Sequence, residues 1–267
     1  MGGVRPANHA KRKRDPLSPI DASEPAARIF STADFHAAVL ALAPRLAVFD
    51  CDGTLWSGDA GSAFMRWSIQ QEMLSAPAVA WLDQRYRGYL AGQVSELAIC
   101  GEMVQVYRGL PESDMRSAAA SFFAAQVEPR IFPELELLIR ELQFRGAEIW
   151  AVSSTCDWVI EEGVKRFDIP PERVLAARVQ IDNGLVTDTL IDVPTDEGKV
   201  AALARVGISA ADCVFGNSIH DAHMLPTAHT AEGKTGAFPV NPPPELLPRA
   251  AAEGWPIFYP ASVRPGP

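Results

Sequence analysis

The sequence predicts an α/β protein: a doubly wound parallel sheet core with a small inserted α-helical cap domain. Short apolar runs, typical of strands buried on both faces, alternate along the chain with segments of helical periodicity. One stretch between two predicted strands, 57–132, is helical throughout. We therefore expect a disordered N-terminal tail over 1–30, a core over 31–56 and 133–267, and a cap over 57–132.

The composition is that of a globular protein and excludes several classes. Of 267 residues, 48% are hydrophobic and 21% are charged, and no run approaches the ~18 uninterrupted apolar residues of a membrane span. The formal net charge of −9 is opposite in sign to that of a general nucleic-acid binder. Four scattered cysteines without CxxC spacing indicate reduced, buried thiols in a cytoplasmic protein.

The tail contains several prolines and the basic run Lys11 to Arg14, with no sustained apolar period. No apolar stretch follows the basic residues, so the start of the chain does not resemble a signal peptide. The basic run could contact nucleic acid or a membrane surface, but a solvated terminus is the favoured interpretation.

The core elements follow from capping residues and apolar runs. Ser31, with Asp34 three residues later, predicts the start of a helix that runs to about Ala43. Asn183-Gly184 between alternating runs predicts a hairpin. Strands are predicted over 45–50, 147–153, 211–216, 237–240 and 256–259, and further helices over 134–145, 158–167, 196–206 and 244–253.

The ends of the predicted strands carry the polar residues. In an open parallel sheet, ligands bind beyond the carboxyl ends of the strands. The segments that follow three of the strands are Asp50 to Thr54, Ser153 to Thr155 and Gly216 to Asp221. Lys199 lies in the first turn of a helix that Thr195 can cap. Any one of these residues could be a helix cap or a surface residue, but their combination in this order predicts a site.

The chemistry of that site follows from its oxygen donors and its lysine. Oxygen ligands without a His/Cys cluster favour Mg²⁺ over zinc. A lysine and a hydroxyl beside the cation would neutralise the oxygens of a phosphoryl group, so the set suits phosphoryl transfer. Asp50 and Asp52 alternate along an extended segment and point different ways. One can attack while the other manages a proton or offers its backbone carbonyl to the metal.

These segments resemble the motifs of a known family. The residues concerned are Asp50-Cys51-Asp52-Gly53-Thr54-Leu55, Ser153, Lys199 and Gly216-Asn217-Ser218-Ile219-His220-Asp221. They are similar to the four ordered motifs of the haloacid dehalogenase (HAD) superfamily, in its phosphoserine-phosphatase-like branch. The helical cap of that branch lies between the first and second motifs. The resemblance covers about 45–260 and implies a Rossmann-like core and a Mg²⁺-dependent phosphatase. Such an enzyme hydrolyses a small phosphomonoester, phosphoserine or another metabolite, through an aspartyl-phosphate.

The resemblance also implies a role for each matching position. Asp50 is the implied nucleophile, and Asp52 the implied acid and base, which also argues against dehalogenation. Phosphate binding is implied for Gly53, Thr54, Ser153, Ser154 and Lys199, with Ser153 favoured over Ser154 by alignment through Asp157. Mg²⁺ binding is implied for Asp50, Asp52 through its carbonyl, Asn217 and Asp221. Many family members have Asp at position 217, so the asparagine removes one charge from the implied metal site.

Three points stay open in the sequence. The enzyme could be a phosphotransferase or phosphomutase of the same superfamily, or the chain could be a catalytically inactive HAD-like binding protein. His220 could be an extra acid or base, although a histidine at the rim of the site is favoured. In the cap, an arginine could pair with a substrate carboxylate and an aromatic ring with a choline-like head group, or the aromatics could form the cap core. The cap residues concerned are Trp56, Arg66, Trp67, Trp81, Arg85, Tyr86 and Arg87.

Overall fold

The computed structural model of the protein describes residues 27–231 and 234–263, which contain ten strands and nine α-helices. The strands are β1 (Ile29–Phe30), β2 (Leu46–Phe49), β3 (Glu148–Cys156), β4 (Val174–Asp182), β5 (Leu185–Asp192), β6 (Cys213–Gly216), β7 (Thr230–Ala231), β8 (Lys234–Thr235), β9 (Ala237–Pro239) and β10 (Ile257–Phe258). The helices are α1 (Thr32–Ala41), α2 (Ala60–Gln70), α3 (Ala76–Leu90), α4 (Glu96–Gln105), α5 (Glu112–Phe122), α6 (Pro133–Phe144), α7 (Asp157–Val164), α8 (Glu197–Arg205) and α9 (Leu247–Ala252).

The central sheet has six strands in the order β5-β4-β3-β2-β6-β9. All neighbours pair in parallel except β4 and β5, which form an antiparallel hairpin. Phe49 of β2 is in register with Ala151 of β3 on one side and with Phe215 of β6 on the other. The strand order therefore reverses at β2, and the predicted doubly wound α/β class is confirmed.

Local sequence signals lie at the starts of several elements. The Ser31 hydroxyl accepts the backbone N–H of Asp34 at 3.1 Å and caps α1. Pro77 lies in the first turn of α3, and Pro111 is the N-cap residue of α5. Asn183 and Gly184 both have positive φ, 50° and 78°, as a type I′ hairpin turn requires, so the predicted hairpin is confirmed.

The predicted cap segment 57–132 contains the helices α2 to α5 and shares an apolar core with the sheet. Phe64 of α2, Tyr107 after α4 and Phe122 of α5 belong to the same buried cluster as Phe49 and Trp158. A second, smaller cluster of Met65, Leu82 and Ile99 lies wholly within these helices. Helices α2 and α4 of the predicted segment 57–132 contact the sheet directly, α5 packs on α7, and α3 packs mainly on α4.

Two features at the ends of the chain differ from the prediction. Ile29 and Phe30, placed in the predicted tail, form β1, which pairs in parallel with β10. The predicted strand over 256–259 therefore joins β1 in a separate two-stranded sheet and not the central one. A strand of two residues is too short to show an apolar period, which explains why β1 was missed. The remainder of the predicted tail, including the basic run, falls in 1–26, outside the described residues.

No helix within the described parts of the chain is both long and apolar enough to cross a bilayer.

Candidate active site

The predicted site residues meet at the carboxyl ends of β2, β3 and β6, where the strand order reverses. Asp50 directly follows β2, and Asn217 directly follows β6. Ser153 lies within β3, near its carboxyl end. Lys199 reaches the same place from the first turn of α8. The carboxyl ends of the parallel strands therefore bring together residues that are far apart in the sequence.

Asp50 is buried, and both of its carboxylate oxygens are hydrogen-bonded. Thr54 donates its hydroxyl to Oδ2 at 2.8 Å, and Lys199 donates from Nζ to Oδ1 at 2.7 Å. Burial, followed by the negative charge of Asp221, raises the pKa of Asp50, while Lys199 opposes the shift. These contacts fix the orientation of the carboxylate and leave its face open to a cavity.

Lys199 is an internal cation, with only 2% of its surface exposed. Besides Asp50, its Nζ contacts Oδ1 of Asp221 at 2.5 Å. Burial works against the charged form, but Asp221 and Asp50 together raise the pKa of Lys199 above its usual value. The lysine is therefore held as an ammonium between two carboxylates. Thr195, the predicted cap of its helix, makes no capping bond, and Asp196 is the N-cap residue.

Asp221 organises the loop after β6. Its Oδ2 accepts the backbone N–H groups of Asn217 and Ser218, both at 2.9 Å, and the Ser218 hydroxyl at 3.2 Å. Gly216 makes this closure possible, because a Cβ at that position would lie 2.6 Å from Cβ of Asp221. The loop is thus drawn tightly around the buried carboxylate.

Asp52 is held by three donors. Oδ1 accepts the indole N–H of Trp56 at 2.7 Å and the backbone N–H of Ala60 at 2.8 Å, and Oδ2 accepts the Thr155 hydroxyl at 2.7 Å. Burial and the nearby charge of Asp59 raise the pKa of Asp52 to about 6, against the effect of these hydrogen bonds. Sequence reasoning missed all three donors.

Both predicted serines line the cavity at the end of β3. Ser153 is 1% exposed, and its hydroxyl oxygen accepts the backbone N–H of Thr155 at 3.2 Å, whereas Ser154 is half-buried. Gly53, with φ +74°, turns the chain so that Thr54 faces Asp50. Because the Ser153 hydroxyl oxygen is the acceptor in this bond, its hydrogen remains free to be donated to a ligand.

The oxygen donors around Asp50 suit a hard cation. A Cβ on Gly53 would lie 1.9 Å from Nδ2 of Asn217, so the Asn217 amide packs directly against the backbone that follows Asp52. Within 27–231 and 234–263, no three His, Cys, Asp or Glu side chains gather as a metal-binding group. A cation here would depend on the amide of Asn217 and on a backbone carbonyl as well as on carboxylates. Neutral and anionic oxygens of this kind fit Mg²⁺ better than softer metals.

The site opens into a cavity of about 580 Å³ between the sheet edge and the helices α3 and α4. Tyr86, Tyr89, Glu96 and His220 are among its lining residues. His220 lies at the rim, as favoured from the sequence, with Nδ1 2.8 Å from Oδ1 of Asp196.

The other cap residues singled out in the sequence face elsewhere. Arg85 pairs with Glu102, Arg87 pairs with Asp83, and Arg66 is exposed outside the cavity. Trp56 and Trp67 pack against phenylalanines, which agrees with the cap-core alternative, and Trp81 is 43% exposed.

Known proteins resemble this chain in sequence and in fold. A histidinol-phosphatase of Neisseria meningitidis serogroup C (strain 8013) is 23% identical over 225 residues, covering 80% of this chain and 98% of the relative. A protein of unknown function from Bordetella pertussis Tohama I has a TM-score of 0.69 at 19% identity, covering 80% of this chain and 97% of that one. A phospho-aspartyl intermediate analogue of phosphoserine phosphatase has a TM-score of 0.52 at 16% identity, covering 80% and 92%.

The family model of the haloacid dehalogenase-like hydrolases matches residues 47–226, which include every predicted site residue. The match covers more than half of the chain and contains the sheet edge on which Asp50, Lys199 and Asp221 meet. The chain therefore belongs to the haloacid dehalogenase-like hydrolase family.

Proposed function

We propose that this hydrolase is a Mg²⁺-dependent phosphatase that cleaves a small phosphomonoester through an aspartyl-phosphate intermediate. The observation that carries the proposal is the pair of carboxylates at the sheet edge. Asp50 is fixed by Thr54 and Lys199, and Asp52 is held separately by Thr155 and its other donors beside the same cavity. The resemblance to a histidinol-phosphatase and to phosphoserine phosphatase supports the same activity.

Asp50 is the nucleophile in this proposal. Lys199 and Thr54 each occupy one carboxylate oxygen, which restricts rotation of the group before attack. One oxygen of Asp50 forms a bond to phosphorus while the bond from phosphorus to the leaving oxygen breaks. Water then attacks the acyl-phosphate, releasing inorganic phosphate and the original carboxylate.

Asp52 moves the protons. Because its pKa is about 6, part of the population is protonated close to neutral pH and can donate to the leaving oxygen. The resulting carboxylate then accepts a proton from the attacking water. The hydrogen bonds from Trp56, Ala60 and Thr155 hold it in one position for both steps.

The phosphoryl oxygens are bound by Lys199, by the Ser153 and Ser154 hydroxyls and by the loop of Gly53 and Thr54. Lys199 carries its charge within the site. Residues that would hold Mg²⁺ are Asp50, Asp52 through its carbonyl, Asn217 and Asp221. When bound, the cation supplies positive charge that offsets the charge of the phosphoryl group.

The test is a phosphate-release screen over a panel of small phosphomonoesters with Mg²⁺. We expect hydrolysis of some members, inhibition by beryllofluoride as a mimic of the phosphorylated aspartate, and loss of turnover in Asp50→Asn, because an amide cannot form the acyl-phosphate. Asp157→Asn is a matched control: Asp157 is also a buried aspartate at this edge but lies outside the cavity lining. Turnover of Asp50→Asn at the wild-type rate would exclude the mechanism.

Two alternatives give different results in the same screen. A phosphotransferase or phosphomutase would pass the phosphoryl group to a second hydroxyl, so a competing alcohol would become phosphorylated in place of water. An inactive binding protein would release no phosphate from any member of the panel. The retention of both Asp50 and Asp52 argues against the inactive binding protein.

We also propose a reducing, cytoplasmic setting. All four cysteines are unpaired, and Cys51, Cys156 and Cys213 are buried. Burial raises the pKa of each of these three thiols, which keeps them protonated and unreactive. Structural thiols of this kind are typical of proteins from reducing compartments.

A further inference from the structure

Glu96 presents an unsatisfied oxygen to the active-site cavity. It is the first residue of α4 and lines the cavity opposite the sheet edge. Its Oε1 accepts the Cys100 thiol at 3.4 Å, but Oε2 is buried and has no hydrogen-bond partner among the described residues. The nearest side-chain nitrogen is Nε2 of His220, which lies 3.7 Å from Oε2, beyond hydrogen-bond distance. A buried carboxylate oxygen without a donor is costly unless a ligand supplies one.

Two tyrosine rings line the same cavity as this carboxylate. Tyr86 and Tyr89, three residues apart on α3, both line the cavity with ring centroids 6.0 Å apart. Burial, followed by the Glu96 carboxylate, raises the pKa of Tyr89. A cavity lined by a carboxylate and by tyrosine rings is a favourable environment for an organic cation.

The charges of the cavity lining are predominantly negative. Asp50, Asp52, Asp59 and Glu96 line it, and its one lysine, Lys199, is engaged by Asp50 and by Asp221. No arginine of the described residues lines the cavity, since those of the cap face other partners or solvent. A substrate carboxylate would therefore find no cation on the leaving-group side of the site.

We propose that the substrate of this phosphatase carries a cationic amine and no carboxylate on its leaving group, and that Glu96 binds the amine. This inference rests on the proposed phosphatase function. The ammonium group donates to Oε2 of Glu96, while Tyr86 and Tyr89 contact its charged end. A positive charge on the substrate also offsets the repulsion between the acidic lining and the phosphate. A cavity of about 580 Å³ holds a molecule of metabolite size.

The experiment compares matched substrates on the full-length protein with Mg²⁺. Phosphoethanolamine and L-histidinol phosphate carry an amine without a carboxylate, ethyl phosphate is uncharged beyond its phosphate, and O-phosphoserine adds a carboxylate to phosphoethanolamine. For the wild type we expect kcat/KM for phosphoethanolamine or L-histidinol phosphate to exceed that for O-phosphoserine by at least about tenfold. A preference for O-phosphoserine would overturn the inference.

Glu96→Gln then tests the residue. The readout is the ratio of kcat/KM for the best amine substrate to that for ethyl phosphate, since intrinsic leaving-group reactivity cancels between variants. We expect Glu96→Gln to lower this ratio by about 10–100-fold, mainly through KM. Glu102→Gln is the control: Glu102 lies on the same helix, pairs with Arg85 outside the cavity lining, and should leave the ratio unchanged.

The outcomes separate the two proposals. If p-nitrophenyl phosphate is hydrolysed but Glu96→Gln keeps the wild-type ratio, the amine site is wrong and the phosphatase stands. If no phosphate is released from any substrate, including p-nitrophenyl phosphate, the proposed function fails and this inference fails with it. Should Glu96→Gln not fold, the wild-type comparison of phosphoethanolamine with O-phosphoserine still decides.

Discussion

The hydroxyl of Thr155 donates a 2.7 Å hydrogen bond to Oδ2 of Asp52, which joins the end of β3 to the loop after β2. This bond opposes burial and the charge of Asp59, both of which raise the pKa of the carboxyl. The pKa of Asp52 therefore depends on Thr155 in β3, which lowers it, and on Asp59 at the start of α2, which raises it. Each contribution can be removed by a separate substitution.

Thr155→Val removes the hydroxyl and nearly preserves the shape of the side chain. Because the hydrogen bond favours the ionised form, its loss should raise the pKa of Asp52. The decline of kcat/KM at high pH should then move to higher pH, and kcat for poor leaving groups should fall by about 10–100-fold as Asp52 loses a fixed position. Thr155→Ser should recover most of this loss. A pH–rate profile identical to that of the wild type would contradict the proposed role of Thr155.

Asp59→Asn should move the decline of kcat/KM at high pH to lower pH, opposite to the effect of Thr155→Val. The Asp59 charge disfavours ionised Asp52 and raises its pKa, so removing the charge lowers that pKa below about 6. A general acid must be protonated, hence activity should decline at a lower pH than in the wild type. Asparagine can still accept the Ser62 backbone N–H that Asp59 accepts at 3.0 Å, so α2 keeps its cap. A shift to higher pH would show that Asp59 does not act through charge.

Asp52→Asn should slow the reaction by removing the proposed proton donor while leaving the nucleophile Asp50 in place. Loss of a general acid and base typically costs ~10²–10⁴-fold in rate. The loss should shrink for p-nitrophenyl phosphate, whose leaving group needs little protonation. Burst kinetics with good and poor leaving groups measure this difference in the first step. An equal loss in that step for both would remove Asp52 from the role of proton donor.

Asn217 and Asp221 give a prediction for metal binding. Asn217→Asp adds a negative charge at the predicted site and should tighten Mg²⁺ binding, although it also repels the incoming phosphate and can lower turnover. Asp221→Ala should weaken or abolish binding, because Asp221 holds the backbone N–H groups of Asn217 and Ser218. Calorimetry and Mg²⁺ titration of activity for the wild type and both variants measure this. Wild-type Mg²⁺ affinity in Asp221→Ala would mean that this loop does not form the metal site.

The sequence predicted the place of the site better than its contacts. Apolar runs followed by polar residues were sufficient to predict that Asp50, Ser153 and Asn217 lie at one sheet edge, because parallel strands end there together. Lys199 was also expected at this edge, and it contacts Asp50 there, although its contact with Asp221 could not be anticipated. Periodicity reports which residues face a core, but not which side chains meet across it.

The hydrogen-bond donors to Asp52 could not be predicted from the sequence. Trp56 and Ala60 lie close to Asp52 in sequence, yet their bonds to it depend on a tight turn and on the angle at which α2 begins. Thr155 follows the predicted second strand, so its hydroxyl was noticed, but its partner lies in a different segment. The short β1 was missed because tertiary pairing with β10, and not local propensity, makes it a strand.

The separate packing of Met65, Leu82 and Ile99 has an evolutionary consequence. Tyr86 and Tyr89 pack against this small cluster, whereas Phe49, which directly precedes Asp50, belongs to the large one. Helix α3 makes its main contacts with α4 and not with the sheet, so substitutions on α3 that reshape the cavity perturb few contacts of the main core. Proteins with this fold can therefore change the lining of the cavity through a few substitutions on one helix, while keeping the sheet edge and most of their stability unchanged.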